Sequence, residues 1–189
     1  MHRFILTGAP GSGKTTIVRN LSRHGYAVVD EAATDVIAAE QAAGVEEPWL
    51  APRFIDEIIE LQRRRQLDQP ASGSGIQFFD RSPVCTLALA RYLGHPESTA
   101  LASEIARITG EQVYDRRVFL IKSLGFVEPT SARRITYAES LEFEKVHELA
   151  YRELGFHLIE IPPIAASLRT SLVARHSAHR DGRAHGRGD

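Results

Sequence analysis

The chain alternates short apolar runs with longer stretches of helical periodicity. Five runs stand out: residues 3–7 (Arg-Phe-Ile-Leu-Thr), 26–29, 76–79, 117–121 and 157–161. Runs this short and nearly continuous predict strands buried on both faces. Between them, apolar residues recur three and four positions apart. Ile17, Val18 and Leu21 mark one helix, which Gly25 closes. A second helix is expected from about residue 33 to 43, broken by Gly44 and Pro48. A third, over 52–67, carries Phe54, Ile55, Ile58, Ile59 and Leu61 on one face. Ser82 and Pro83 read as N-cap and first helical position of a helix ending near Leu93, at Gly94. Another helix spans about 97–109. Thr136 and Glu139 have the spacing of a capping box, opening a helix that Gly155 stops. A last helix covers about 164–175.

Strand and helix alternating throughout predict the α/β class. The expected architecture is a three-layer α/β/α sandwich around a five-stranded, mostly parallel sheet. One domain is expected over residues 1–175, with an irregular lid at about 122–135. Residues 69–75 read as a flexible turn. From His176 to Asp189 almost nothing is apolar, which predicts a disordered tail.

Composition changes this picture little. The 189 residues are 43% apolar and 25% charged, an ordinary globular balance. A net charge of −1 makes no electrostatic case for nucleic acid as the main partner. Cys85 is the single cysteine, so no internal disulfide can form, which fits a reducing, cytoplasmic setting. The N-terminus runs directly into the first strand, and no apolar run reaches the roughly 20 residues that a membrane span needs.

The candidate chemistry begins at Gly8-Ala9-Pro10-Gly11-Ser12-Gly13-Lys14-Thr15, which fits G-x-x-x-x-G-K-[ST]. Its place between a predicted strand and a predicted helix is the context that this phosphate-binding P-loop requires. Glycines let the backbone curl so that its N–H groups face an anion, and the following helix aims its positive end at the same point. Lys14 is the expected partner of the outer phosphates. The Thr15 hydroxyl is the expected Mg²⁺ ligand. Together with Thr16, these residues form the candidate ATP-binding set.

In parallel α/β folds ligands sit beyond the carboxyl ends of the strands. That rule gathers the other candidates. Asp80, ending the third strand, can hold Mg²⁺ beside the triphosphate, and Arg81 can clamp an oxyanion. Glu31, ending the second strand beside Asp30, can orient an acceptor hydroxyl and take its proton. Arg133 and Arg134 lie where a closing segment could neutralise charge on a transferred group. The trio Arg63 to Arg65 suits a helix C-terminus. Trp49 reads either as an acceptor-pocket wall or as a packing anchor, and Cys85 as a core residue. The histidines show no metal-ligand spacing.

With these residues collected, the chain resembles the small P-loop kinase-like ATPases related to nicotinamide-riboside kinase and deoxynucleoside kinases, often grouped as AAA-type ATPases. The similarity covers roughly residues 3 to 175. It is carried by GAPGSGKTT, by VVDEAA after the second strand, by FFDRSP after the third, and by AESLEFEKVHELAYRELGFHLIEIP near the end. The resemblance implies a P-loop NTPase fold with the P-loop strand central. It also implies a base at Glu31, an acid-arginine pair at Asp80 and Arg81, and lid arginines at Arg133 and Arg134. One departure is Asp80, where deoxynucleoside kinases usually carry glutamate. The chain is too short for the extra helical domain of true AAA machines. It also lacks the N-K-x-D motif of GTPases, having Lys122-Ser123-Leu124 after the fourth strand.

The expectation is an enzyme that moves the ATP γ-phosphate onto a small-molecule acceptor, a nucleoside, nucleotide or related metabolite. The alternatives are a nucleotide-dependent regulatory ATPase without such an acceptor, and a nucleoside-triphosphatase.

Overall fold

All five strands of the computed structural model point the same way, so their carboxyl ends share one rim. The structure describes residues 1–68, 75–125 and 136–178. In chain order the elements are β1 (His2–Thr7), α1 (Lys14–Arg23), β2 (Ala27–Val29), α2 (Ala32–Ala42), α3 (Arg53–Leu67), β3 (Ile76–Asp80), α4 (Pro83–Leu93), α5 (Thr99–Gly110), β4 (Arg117–Ile121), α6 (Tyr137–Glu153), β5 (His157–Ile161) and α7 (Ala166–Ala178), with a short 3-10 turn at Pro48–Leu50. The sheet order is β2-β3-β1-β4-β5, every pairing is parallel, and β1 is central.

The strand residues sort by parity. Phe4, Leu6, Phe78, Phe119 and Ile121 face one layer, made by α1 and α7, where they meet Ile17, Val18, Leu21 and Val173. Ile5, Phe79 and Val118 face the other layer, which α2 to α6 build. This period of two is what a strand buried on both sides needs. On the first face Phe4 packs against Phe78 and Phe119 with ring centroids 5.9 and 5.8 Å apart, and Tyr26 meets Phe78 edge-on at 5.2 Å.

β1 sends the chain to α1 on one face, while its neighbour β3 sends it to α4 on the other. The crevice between their ends is therefore a topological switch point, where such folds bind ligands. Arg81, just past β3, donates its backbone N–H to Leu6 O of β1 at 3.0 Å and closes the floor of this crevice.

Local signals mostly hold. The capping box at Thr136 and Glu139 is formed on both sides. Ser82 occupies the N-cap of α4, yet its hydroxyl makes no cap bond, because it is engaged with Tyr151 Oη at 2.8 Å. α7 reaches Ala178, so His176 and the buried Ser177 belong to the helix rather than to the tail. The expected turn over 69–74, lid segment 126–135 and tail from 179 lie outside the described residues.

Phe119 is fully buried at the centre of the aromatic cluster. Phe119→Ala should lower unfolding stability by about 3–5 kcal/mol. Urea denaturation checks this, and a loss below about 1 kcal/mol would contradict the assigned packing.

Candidate functional site

The loop after β1 is shaped by close approach. Gly8 has φ +136°, and a Cβ there would lie 2.3 Å from Ile121 O of β4, so only glycine fits. Gly13 is left-handed at the N-cap of α1, and no side chain caps that helix. The amino end of α1 thus keeps its N–H groups and positive dipole end for an external anion. Lys14 is buried, and its Nζ donates to Gly8 O at 3.0 Å, Ala9 O at 2.9 Å and Ser12 Oγ at 3.2 Å. Its charge therefore sits inside the curl of the loop. Thr15 and Thr16 are exposed in the first turn of α1.

Two further elements brace the loop. Arg169 of α7, 2% exposed, donates through Nη1 to Ser12 O and through Nη2 to Lys122 O, both at 2.7 Å. Burial lowers its pKa, and the two carbonyls hold the guanidinium in place. Glu144 of α6 is buried and pairs with Lys122, while its other oxygen accepts from the Ala9 N–H at a long 3.5 Å.

Asp80 lies beside Leu6 in the sheet register. It is 5% exposed, and its Oδ1 is buried without a hydrogen-bond partner among the described residues. Burial first, and then the Glu31 charge, push its pKa up to about 6, against the pull of Lys14 and Arg81. A carboxylate oxygen buried and unpaired is costly unless something compensates it. A divalent cation is such a partner. Thr15 borders the same cavity of about 590 Å³, together with Asp30, Glu31 and Thr34. Asp80 and the Thr15 hydroxyl are both hard oxygen donors of the kind that Mg²⁺ takes.

Arg81 is a non-glycine residue at φ +75°. Such a backbone costs on the order of 1–3 kcal/mol and persists where surrounding structure over-determines it. Its Nε pairs with Glu31 and its Nη1 donates to His147 Nε2 at 3.2 Å. Burial, the largest influence, opposes the guanidinium charge, but the Glu31, Cys85 and Asp80 charges and the Glu31 hydrogen bond together outweigh it, and the net shift is upward. Glu31 also accepts from Thr34 Oγ1 at 3.0 Å.

Glu31 and Arg81 border a second cavity, of about 380 Å³. Its walls are mainly apolar, with Ile37, Trp49, Phe54, Leu89, Tyr92 and Phe143. Pro10 of the P-loop, Gln62 and Thr86 add to its rim. Thr86 Oγ1 donates to Gln62 Oε1 at 3.0 Å, which turns the amide nitrogen of Gln62 outward from that bond. Trp49 lines this cavity and also packs against the core.

The fold thus brings Lys14, Thr15, Glu31, Asp80 and Arg81 together. Asp30 is exposed, and its carbonyl accepts from Arg65 Nη1 at 2.9 Å. Arg65 also pairs with Asp35, and Arg63 lies 3.8 Å from Glu104, so two of that basic trio tie α3 to α2 and α5. Cys85 is buried, 3.1 Å from Tyr151 Oη and 3.3 Å from Thr7 Oγ1. Arg133 and Arg134 lie outside the described residues. Sequence reasoning missed His147, Glu144 and Arg169. The one available signal was polar residues at 144 and 147, which share the three-and-four spacing of Ser140, Phe143 and Tyr151 on the buried face of α6.

Comparison with known proteins agrees with this geometry. The AAA domain family matches residues 3–169. A search of curated protein sequences found no match. Among solved structures, NadR protein in complex with NAD and AMP-PNP superposes with a TM-score of 0.66 at 15% identity, over 96% of this chain and 51% of that one. This chain therefore spans about half the length of NadR. Deoxyadenosine kinase from M. mycoides, with products dCMP and a flexible dCDP bound, gives 0.57 at 13% identity, over 93% and 97%. The same enzyme with bound dATP gives 0.52 at 17%, over 95% and 100%. Likeness at these identities is likeness of fold. Because the family match runs from the first strand into α7 and takes in the whole P-loop rim, the chain belongs to the AAA domain family.

Proposed function

We propose that the protein is an ATP-dependent kinase that phosphorylates a hydroxyl of a small, ring-bearing molecule. The observation carrying this reading is the second cavity, whose polar end, Glu31 and Arg81, adjoins the P-loop through Pro10. A switch or a plain triphosphatase needs no such apolar space beside its phosphate loop. The solved structures of similar fold include a deoxyadenosine kinase and a NadR protein bound to an ATP analogue, which supports the same reading.

When bound, Mg-ATP supplies the phosphoryl group and the metal that spreads its charge. The chain's own residues supply position and field. The P-loop amides, the amino end of α1 and Lys14 hold the phosphates. Thr15 and Asp80 are the proposed Mg²⁺ ligands, and the partnerless Asp80 Oδ1 is the atom that such a cation would satisfy. Glu31 stands between the two cavities, where it can orient an acceptor hydroxyl and take its proton. Arg81 holds Glu31 and offers donors to an oxyanion. Arg133 and Arg134 complete the proposal as the arginines of a closing segment.

The lining also bears on the acceptor. Trp49, Phe54, Tyr92 and Phe143 suit a flat ring. Among the described residues, the cavity's charged lining is Glu31, Glu47, Glu139 and Arg81.

Incubation with Mg-ATP alone, and with nucleosides, nucleotides and aminoglycoside-like alcohols, tests this. ADP release and labelled product should depend on a ring-bearing alcohol. Glu31→Gln should lower turnover about 10²- to 10⁴-fold while nucleotide affinity stays near wild type, and Lys14→Ala should remove that affinity. ADP release indifferent to every acceptor would favour the triphosphatase or regulatory reading instead.

Asp80 generates a second prediction. Its folded-state pKa stands above its unfolded value, so its protonated form favours the native state. That stabilisation is complete below about pH 4 and is lost as pH rises through about 6. Relative to Asp80→Asn, the wild type should lose about 3 kcal/mol of stability between these limits. Urea denaturation of both proteins at pH 4 and pH 7 measures the difference, and a pH-independent gap would remove the buried charge from the account.

A further inference from the structure

The kinase reading gives no task to His147, a fully buried titratable side chain. His147 of α6 has no exposed surface and lies against the guanidinium of Arg81. We propose that His147 is a positioning residue for Arg81, a neutral acceptor that fixes the plane of the guanidinium at the polar end of the acceptor cavity.

Its two hydrogen bonds admit one tautomer. Nδ1 is 2.9 Å from Phe143 O, and a carbonyl can only accept, so Nδ1 carries the proton. Nε2 then presents a lone pair, and Arg81 Nη1, which can only donate, fills it at 3.2 Å. Burial first, and the nearby Arg81 charge second, hold the imidazole pKa down at about 3, so the ring stays neutral at ordinary pH.

The two anchors of the guanidinium act on different edges. Glu31 takes Nε, from α2, and His147 takes Nη1, from α6. A single ion pair would let the planar group pivot, and a second contact on another edge stops the rotation. Nη2 keeps no partner among the described residues, and Arg81 borders the cavity, so the fixed plane presents that donor to a ligand oxygen. A carboxylate at 147 would compete with Glu31 for Arg81 and add a third acid near Asp80. A neutral acceptor does neither.

The competing explanation is packing. His147 meets the Phe143 ring edge-on, with centroids 4.3 Å apart, and a phenylalanine could fill the same space. His147→Phe keeps the volume and removes the acceptor, whereas His147→Gln can supply an acceptor oxygen. The kinetic consequence rests on the kinase reading, so the test has an arm that needs no turnover. In ¹⁵N NMR of the wild type, His147 should show a neutral, Nδ1-protonated ring between about pH 5 and 8. Arg81 should show slowed guanidinium rotation, lost in His147→Phe and kept in His147→Gln.

In the kinetic arm, His147→Phe should lower kcat about 100-fold, the scale of a small misplacement, with the direct affinity for ATP unchanged. His147→Gln should recover most of that loss even where both variants unfold at the same lowered midpoint. Wild-type kcat and an unchanged Arg81 signal in His147→Phe would overturn the proposal, as would a glutamine variant no better than the phenylalanine one. If the wild type transfers phosphate to no acceptor, the kinase reading falls, and the NMR comparison alone decides the role of His147.

Discussion

Four ionised side chains crowd the crevice between the ends of β1 and β3, and their mutual compensation is the constraint on everything around them. Lys14 and Arg81 are cations, while Glu31 and Asp80 are anions. None could be buried there alone, since an isolated charge costs several kcal/mol on leaving water. The fold meets the cost with neighbours. Loop carbonyls and the Ser12 hydroxyl receive Lys14, and Glu31 and His147 receive Arg81. Asp80 is left least compensated, and its raised pKa expresses that deficit.

This explains why helices far apart in sequence converge on one rim. α1 carries Lys14, α2 begins next to Glu31, and α6 brings His147 and Glu144. α7 reaches back with Arg169 to join the P-loop at Ser12 to the segment after β4 at Lys122. A parallel sheet makes such convergence possible, because it sends every strand's carboxyl end to the same edge. Loop, acid-arginine pair and acceptor wall then share a frame without any one segment supplying all of them. The left-handed backbone of Arg81 is the local cost of turning its side chain across this frame toward α2 and α6.

What the sequence made legible follows the same division. The strands, the P-loop and the capping box at Thr136 are local in origin, because their determinants lie within a few residues of one another. Asp80, Arg81 and Glu31 were reachable by one further rule, since each follows a strand whose end must face the ligand. His147, Glu144 and Arg169 were not reachable. Each acts on residues 66, 135 and 157 positions away, and only tertiary packing sets those pairings. Ser82 shows the same limit from the other side. It has the residue type and position of an N-cap, yet Tyr151 of α6 claims its hydroxyl, so tertiary contact overrides a local preference.

The acceptor cavity adds a final step. Its apolar walls come from the turn at Trp49 and from α2, α3, α4 and α6, and its polar end is the pair Glu31–Arg81. The same pair faces the phosphate side through Glu31, which borders both cavities. In the proposed kinase, a molecule filling the apolar space could not orient its hydroxyl without contacting the group that also steadies Arg81. Substrate recognition and phosphate-side electrostatics would then not be separable properties, because they would meet in one ion pair. Substitutions in the apolar wall that shift Glu31 would change the field at Asp80 as well, since the Glu31 charge is the second largest influence on that carboxyl. Conversely, a cation satisfying Asp80 would weaken that influence and leave Glu31 freer to serve the acceptor.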